Sequence, residues 1–352
     1  MLKTKNTGYV FAIPALIAIL LAFLCSCDSR KTRENENDRQ LIAWTYDSFA
    51  SEWGPGPEVA RIFEEKTGIA ITWVSHGDAG EMAARFILEG KNSGADIILG
   101  IDQNLGGRVI DSGLLEEYTP MAGGEQFSEL MPGLRGDDGK NLLIPMDYSY
   151  FAIVYDSEKL PIPPKSLEEL AKPGYARSLI LIDPRTSSVG LGFFCWVREV
   201  YGDGWKDYWT RLRPSILTVA EGWSTAYGLF VNGEAPMVLS YTTSPGYHLE
   251  YENSERYRAA IFAEGHPLQL ETAGLSVSAR NKENARLFLD FMLSRDFQEI
   301  IPLTNWMYPV IDIPLPASFR INPKSPKTLT PAPATEEELN EWAALMMAAP
   351  RN

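Results

Sequence analysis

The sequence predicts an α/β fold in two lobes with a ligand cleft between them. Three observations carry that expectation. Strand-like and helix-like patterns alternate from residue 41 into a helical pattern that starts near Gln103, and they alternate again over 178–241. Between the two regions lies a long extended run, 142–155, of the kind that crosses from one lobe to another. The chain's 352 residues suffice for two such lobes, and a hydrophobic share of 45% is that of a folded protein.

Each element has a local reason. Residues 41–46 are a short β-branched and aromatic run and read as the first strand. A helix follows over 57–66, because proline suits a first helical turn and Gly68 sits just past the end, where a left-handed stop is needed. Residues 69–74 read as the next strand, 79–88 as a helix halted near Gly90, and 95–99 as a continuous apolar strand. This alternation favours a parallel sheet covered on both faces. The second region offers strands at 178–182, 216–219 and 236–241, with helices around 191–200, 205–212 and 223–231. The chain is expected to cross back over 259–278 and to add helices at 283–293 and 295–300. A Pro-rich wrapped tail at 311–333 then leads to a capped closing helix at 336–347.

The first residues carry Lys3 and Lys5, then an apolar run over 9–24, then Leu24-Cys25-Ser26-Cys27. That order of charge, apolar core and small-residue cleavage site is that of an export signal, with a membrane-spanning anchor as the alternative. Leu24-x-Ser26-Cys27 resembles the lipobox of bacterial lipoproteins, which makes Cys27 the expected lipid anchor. Loss of residues 1–26 removes two lysines and moves the formal charge from −14 to −16. The polar stretch 28–38 lacks apolar periodicity and reads as a flexible tether. Expected boundaries are thus a signal at 1–26, a lipid-anchored linker at 27–40, one lobe from 41–145 with 265–352, and a second from 146–264. Cys195 is left without a partner thiol, inside Gly192-Phe193-Phe194-Cys195-Trp196, and reads as a buried small hydrophobe.

Acidic residues outnumber basic ones 46 to 32 with no basic stripe, which argues against nucleic acid and for a cationic or neutral small ligand. The three histidines, His76, His248 and His266, stand in no hydrolase or zinc-protease string, and neither a Walker loop nor a dinucleotide fingerprint occurs. An enzyme is therefore not expected.

Several strings then converge. Thr45-Tyr46-Asp47-Ser48-Phe49 with Glu52-Trp53-Gly54-Pro55-Gly56-Pro57, Glu89-Gly90-Lys91-Asn92-Ser93-Gly94-Ala95-Asp96 and Gly100-Ile101-Asp102-Gln103-Asn104-Leu105 come first. Asp147-Tyr148, Asp183-Pro184-Arg185-Thr186-Ser187, Gly222-Trp223-Ser224, Ser240-Tyr241-Thr242-Thr243-Ser244-Pro245 and Asn305-Trp306-Met307-Tyr308-Pro309 follow in order. Together they resemble the thiamine-binding periplasmic proteins of bacterial ABC uptake systems. The resemblance implies a two-lobed type II periplasmic-binding fold that closes on its ligand. It further implies an exported, extracytoplasmic solute-binding protein with no cofactor or metal, which passes thiamine or its mono- or diphosphate to an ABC permease.

Thiamine carries a permanent thiazolium cation, an aminopyrimidine and a hydroxyethyl arm. Cations and flat rings both favour aromatic faces, and Trp53, Trp223, Tyr241 and Tyr247 are the candidates, with Tyr46 from the first string. By resemblance Asp78 is the carboxylate for the exocyclic amine, with backbone contact at Ala79; a plain helix N-cap is the other reading of Asp78. The turn 183–190 opens a helix, and by resemblance Ser187 and Ser188 form a seat for phosphate or hydroxyl, joined by the Trp223 indole and by Tyr241, Thr242, Thr243 and Ser244. A capping motif without a ligand is the alternative there. Asp47, Asp102 and Asp147 are expected to line or order the cleft. Among rivals, a ferric-ion binder is disfavoured by the absence of a Tyr-Tyr pair, and a polyamine binder stays open because it too wants aromatics and carboxylates.

Overall fold

The computed structural model describes residues 39–121 and 139–348. The expected signal, Cys27 and most of the Gly-rich segment 123–140 lie outside the described residues.

The first region runs β1 (Gln40–Thr45), α1 (Gly56–Thr67), β2 (Ala70–Ser75), α2 (Ala79–Glu89), β3 (Ile97–Asp102), α3 (Gln103–Asp111) and the short β4 (Leu115–Glu116). Gly68 ends α1 at φ +72, and its N–H reaches back to the Glu64 carbonyl, the left-handed stop that the sequence predicts. All six residues of β3 are buried, as a central strand covered on both faces requires.

β5 (Ile144–Asp156) is the long crossing strand. Its first half pairs antiparallel with β10 (His266–Ser276), from Ile144 to Tyr150, and its second half with β8 (Met237–Tyr241) and β9 (Tyr257–Ala260). Between them the second region supplies β6 (Leu179–Ile182), α4 (Ser188–Tyr201), α5 (Trp205–Leu212), β7 (Ile216–Ala220), α6 (Trp223–Val231) and α7 (Ser244–Glu252). The strand order is β2-β1-β3-β10-β5-β8-β6-β7. Pairing is parallel where helices connect the strands, as in β1 with β3 and β6 with β7, but the two crossing strands run antiparallel to each other and to β3 and β8. The expected all-parallel sheet is thus mixed. Strands that pass between lobes enter without a covering helix, so no right-handed βαβ crossover imposes their direction.

After β10 come α8 (Lys282–Met292), short helical turns at Arg295–Gln298 and Ile301–Thr304, then β11 (Tyr308–Pro309) and β12 (Thr328–Leu329). The tail straps both crossing strands, since β11 pairs β5 and β12 pairs β10. The closing helix α9 (Glu336–Met347) starts in a capping box in which the Thr335 hydroxyl and the Glu338 side chain each satisfy the other's backbone N–H. Sequence order groups α9 with the first lobe, where Glu336 pairs Arg108 of α3, and its side chains also reach residues 198–209. Trp342 meets Trp209 edge to face, Glu338 pairs Arg198 and Glu341 pairs Lys206. Cys195 is fully buried in α4, and desolvation pushes its thiol up to about 12, which leaves it inert.

Candidate functional site

A cavity of about 600 Å³ opens where the two regions face one another. One wall is aromatic. Trp223 and Tyr227, one turn apart on α6, stack 5.0 Å apart at 22°. Tyr247 on α7 meets Trp306 edge to face at 5.4 Å, and Tyr251 lies one turn on. Trp306 has φ +58, a left-handed conformation that a bulky residue adopts only where the surroundings hold it, and here it sets the indole at the cavity wall. Tyr46 enters from β1 because Gly100, at φ +95, has no Cβ; one would fall 2.3 Å from the Tyr46 ring.

The polar side is acidic. Asp78, at the start of α2, accepts from Ala79 N–H at 2.6 Å and, from the start of α6, from Trp223 N–H at 2.9 Å. Desolvation pushes its carboxyl up to about 6, against the pull of those donors and of the Ser187 hydroxyl. Glu271 on β10 accepts from the Tyr46 hydroxyl at 2.7 Å, and Asn305 donates to Asp147 at 2.7 Å. Glu271 and Asp147 are cross-strand partners and hydrogen-bond each other; burial raises both, the charge of Asp147 raises Glu271 further, and the hydrogen bonds of Asn305 and Glu271 hold Asp147 back, to about 7. Among the described residues, no Lys, Arg or His lines the cavity.

Of the residues that the sequence singles out, Tyr46, Trp53, Asp78, Ala79, Ser188, Trp223, Tyr241, Ser244 and Tyr247 line the cavity. Trp53 stands at the rim, 59% exposed. Five lie behind the wall. Ser187 caps α4 by accepting from Val189 N–H, Thr243 shares a hydrogen bond with Ser149, and Thr242 is buried with its N–H on the Tyr150 carbonyl. Asp102 is buried as the N-cap of α3, and Asp147 stands behind Glu271. The Trp223 indole N–H donates to Ser240, whose hydroxyl meets Ser244, so the indole is committed to the wall rather than aimed at an anion. Asp47 is exposed, outside the lining.

Sequence reasoning missed Glu271, Tyr227, Tyr251, Asn305 and Trp306 as lining residues. Tyr227 and Tyr251 were readable as the i+4 neighbours of Trp223 and Tyr247 on helices. Glu271 is the one acidic residue between His266 and Ala279, an outlier in an otherwise uncharged strand. A register shift between Glu271 and Thr272 breaks the strand's alternation there, which only pairing reveals.

The family model for bacterial extracellular solute-binding proteins matches residues 58–304. A thiamine-binding periplasmic protein of Brucella abortus is 46% identical over 312 residues, 87% of this chain and 91% of the relative. That of Escherichia coli is 43% identical over 307 residues, 86% and 92% of the two chains. Among solved structures, a periplasmic thiamin binding protein superposes with TM-score 0.82 at 41% identity, over 88% of this chain and 96% of that one. An iron-bound binding protein of Pseudomonas aeruginosa, TM-score 0.64 at 21% identity, shares the two-lobed fold alone. With its acidic aromatic cleft strung between two crossing strands, the chain belongs to the thiamine-binding periplasmic protein family of extracellular solute-binding proteins.

Proposed function

We propose that this protein binds thiamine, or a thiamine phosphate, in the cavity between its lobes and delivers it to the membrane permease of an ABC transporter. It is a solute-binding protein of ABC uptake, not an enzyme, and it acts outside the cytoplasm. The observation that carries the ligand reading is the lining, which joins the Trp223–Tyr227 stack, Tyr247 and Trp306 to the carboxyls of Asp78 and Glu271, with no basic residue among the described lining residues. Aromatic faces attract a flat cation by about 0.5–2 kcal/mol each, depending on desolvation. A carboxylate at Asp78 suits an exocyclic amine. Calorimetry on a soluble form that starts at Asp38 is expected to show one-to-one binding of thiamine with quenching of tryptophan fluorescence. Heat with spermidine and none with thiamine or its phosphates would replace the ligand with a polyamine.

The localisation reading has a finer part: Cys27 is the lipid anchor, and residues 28–40 tether the binding unit to the membrane. No described helix is long and apolar enough to cross a membrane. Support comes from the order of lysines, apolar run and Leu24-x-Ser26-Cys27. Labelling with a fatty-acid analogue is expected to mark the protein and to miss Cys27→Ala, which accumulates as uncleaved precursor. A mature N-terminus other than Cys27 contradicts this part.

A further inference from the structure

We propose that the Glu271–Asp147 pair is the counter-ion of the cationic ring bound in the cleft, and that it yields its shared proton to solvent as that ring enters. The inference rests on the reading of thiamine as ligand and adds to it a proton exchange that discriminates for charge.

The geometry begins with exposure: Asp147 is 0% exposed and Glu271 4%, yet Glu271 lines the cavity and Asp147 does not. The two face each other in register across β5 and β10, and the β10 bulge begins at Glu271. Their neighbours are donors without charge, the Tyr46 hydroxyl and the Asn305 amide, and Asp147 Oδ1 has no N–H or O–H donor among the described residues. Other titratable groups facing the pair are Asp102 from β3 and Tyr241 from β8, with Asp78 farther round the wall; each adds negative charge or none. His266, on the same strand, is turned away to the Phe151 carbonyl and the Phe262 N–H.

Two carboxyls within hydrogen-bond reach in a dry wall do not both ionise, so one proton stays while the cleft holds no cation. A permanent cation against Glu271 does what that proton does. The pair then ionises fully, and the proton passes to the buffer. Affinity for a cation therefore rises with pH, by about ten-fold per pH unit for one proton released, until the pair ionises unaided. A neutral molecule of the same shape gains nothing from the exchange.

The test is titration calorimetry of the mature protein at pH 7 in phosphate and in Tris, whose ionisation heats differ. Two ligands are compared: thiamine, and the neutral isostere in which a thiophene replaces the thiazolium. The aminopyrimidine is common to both, so protons from it or from Asp78 cancel. Thiamine is expected to release roughly one proton and the isostere none. Glu271→Gln abolishes the release and weakens thiamine more than the isostere. Asp147→Asn also abolishes it but raises thiamine affinity at pH 6, where the wild-type pair still holds its proton; a merely structural role would move both variants the same way. Thiamine binding without buffer dependence, or with equal release for the isostere, overturns the proposal. Failure of thiamine to bind the wild-type protein instead overturns the ligand reading on which it rests.

Discussion

Asp102 is fully buried and has no ion-pair partner among the described residues. Its carboxylate caps α3 by accepting from the N–H groups of Asn104 and Leu105, both at 3.0 Å, and from the Asn104 amide. Those donors do not offset burial, which raises the carboxyl from 3.8 to about 6. The sign follows from proton counting. Between those two values the native state holds a proton that the unfolded chain has lost, so Asp102 subtracts stability as pH climbs through that window and keeps subtracting above it. Asparagine preserves the cap without the charge. The melting temperature of Asp102→Asn minus that of wild type is therefore expected to grow from pH 4 to pH 7 in scanning calorimetry. The buried histidines, which shift the other way, are common to both proteins and cancel. A difference that stays flat across the range would show that Asp102 ionises as freely as in water.

Among the elements, the start of α2 touches the turn before α4, a contact expected to form as the cleft closes. Gly80 lies so near the turn before α4 that an added Cβ would sit 2.5 Å from the Thr186 carbonyl oxygen, and Glu81 N–H donates to that same oxygen at 3.0 Å. Gly80→Ala keeps helical backbone and obstructs only this approach. It is expected to leave the melting temperature of the unliganded protein within a few degrees and to weaken thiamine by about ten-fold, the loss of one hydrogen bond to closure. Calorimetry gives the affinity, and small-angle scattering is expected to show a larger radius with ligand than in wild type. Unchanged affinity would mean that this contact does not form on closure. The closing helix α9 was legible because its capping box is a local pattern, and α5 because its apolar and polar residues recur at helical spacing. By contrast α7 has no counterpart in the sequence reading, which assigns no element between 245 and 258, although proline in a first helical turn suits a helix start.

At the scale of the whole molecule, the carboxyls of Asp78, Asp147 and Glu271 stand at one cleft without an ion-pair partner among the described residues, whereas surface carboxylates such as Glu58 and Glu65 pair with Arg61. The sequence by itself determined the alternation of strands and helices, the long crossing strand, the family, and most of the aromatic and hydroxyl residues that line the cavity. These are local or one-dimensional properties: periodicity, caps, and residue strings that keep their order. Tertiary structure alone decided which carboxylate faces the cavity. Asp147 stands behind the wall and Glu271 in front of it because β10 bulges where it pairs with β5, 124 residues away along the chain. It also decided that the Trp223 indole is spent on Ser240 and that Asp78 reaches across to the start of α6. Each of these is a contact between segments remote in sequence, where register and burial set both the partner and the protonation of a group whose identity alone specifies neither.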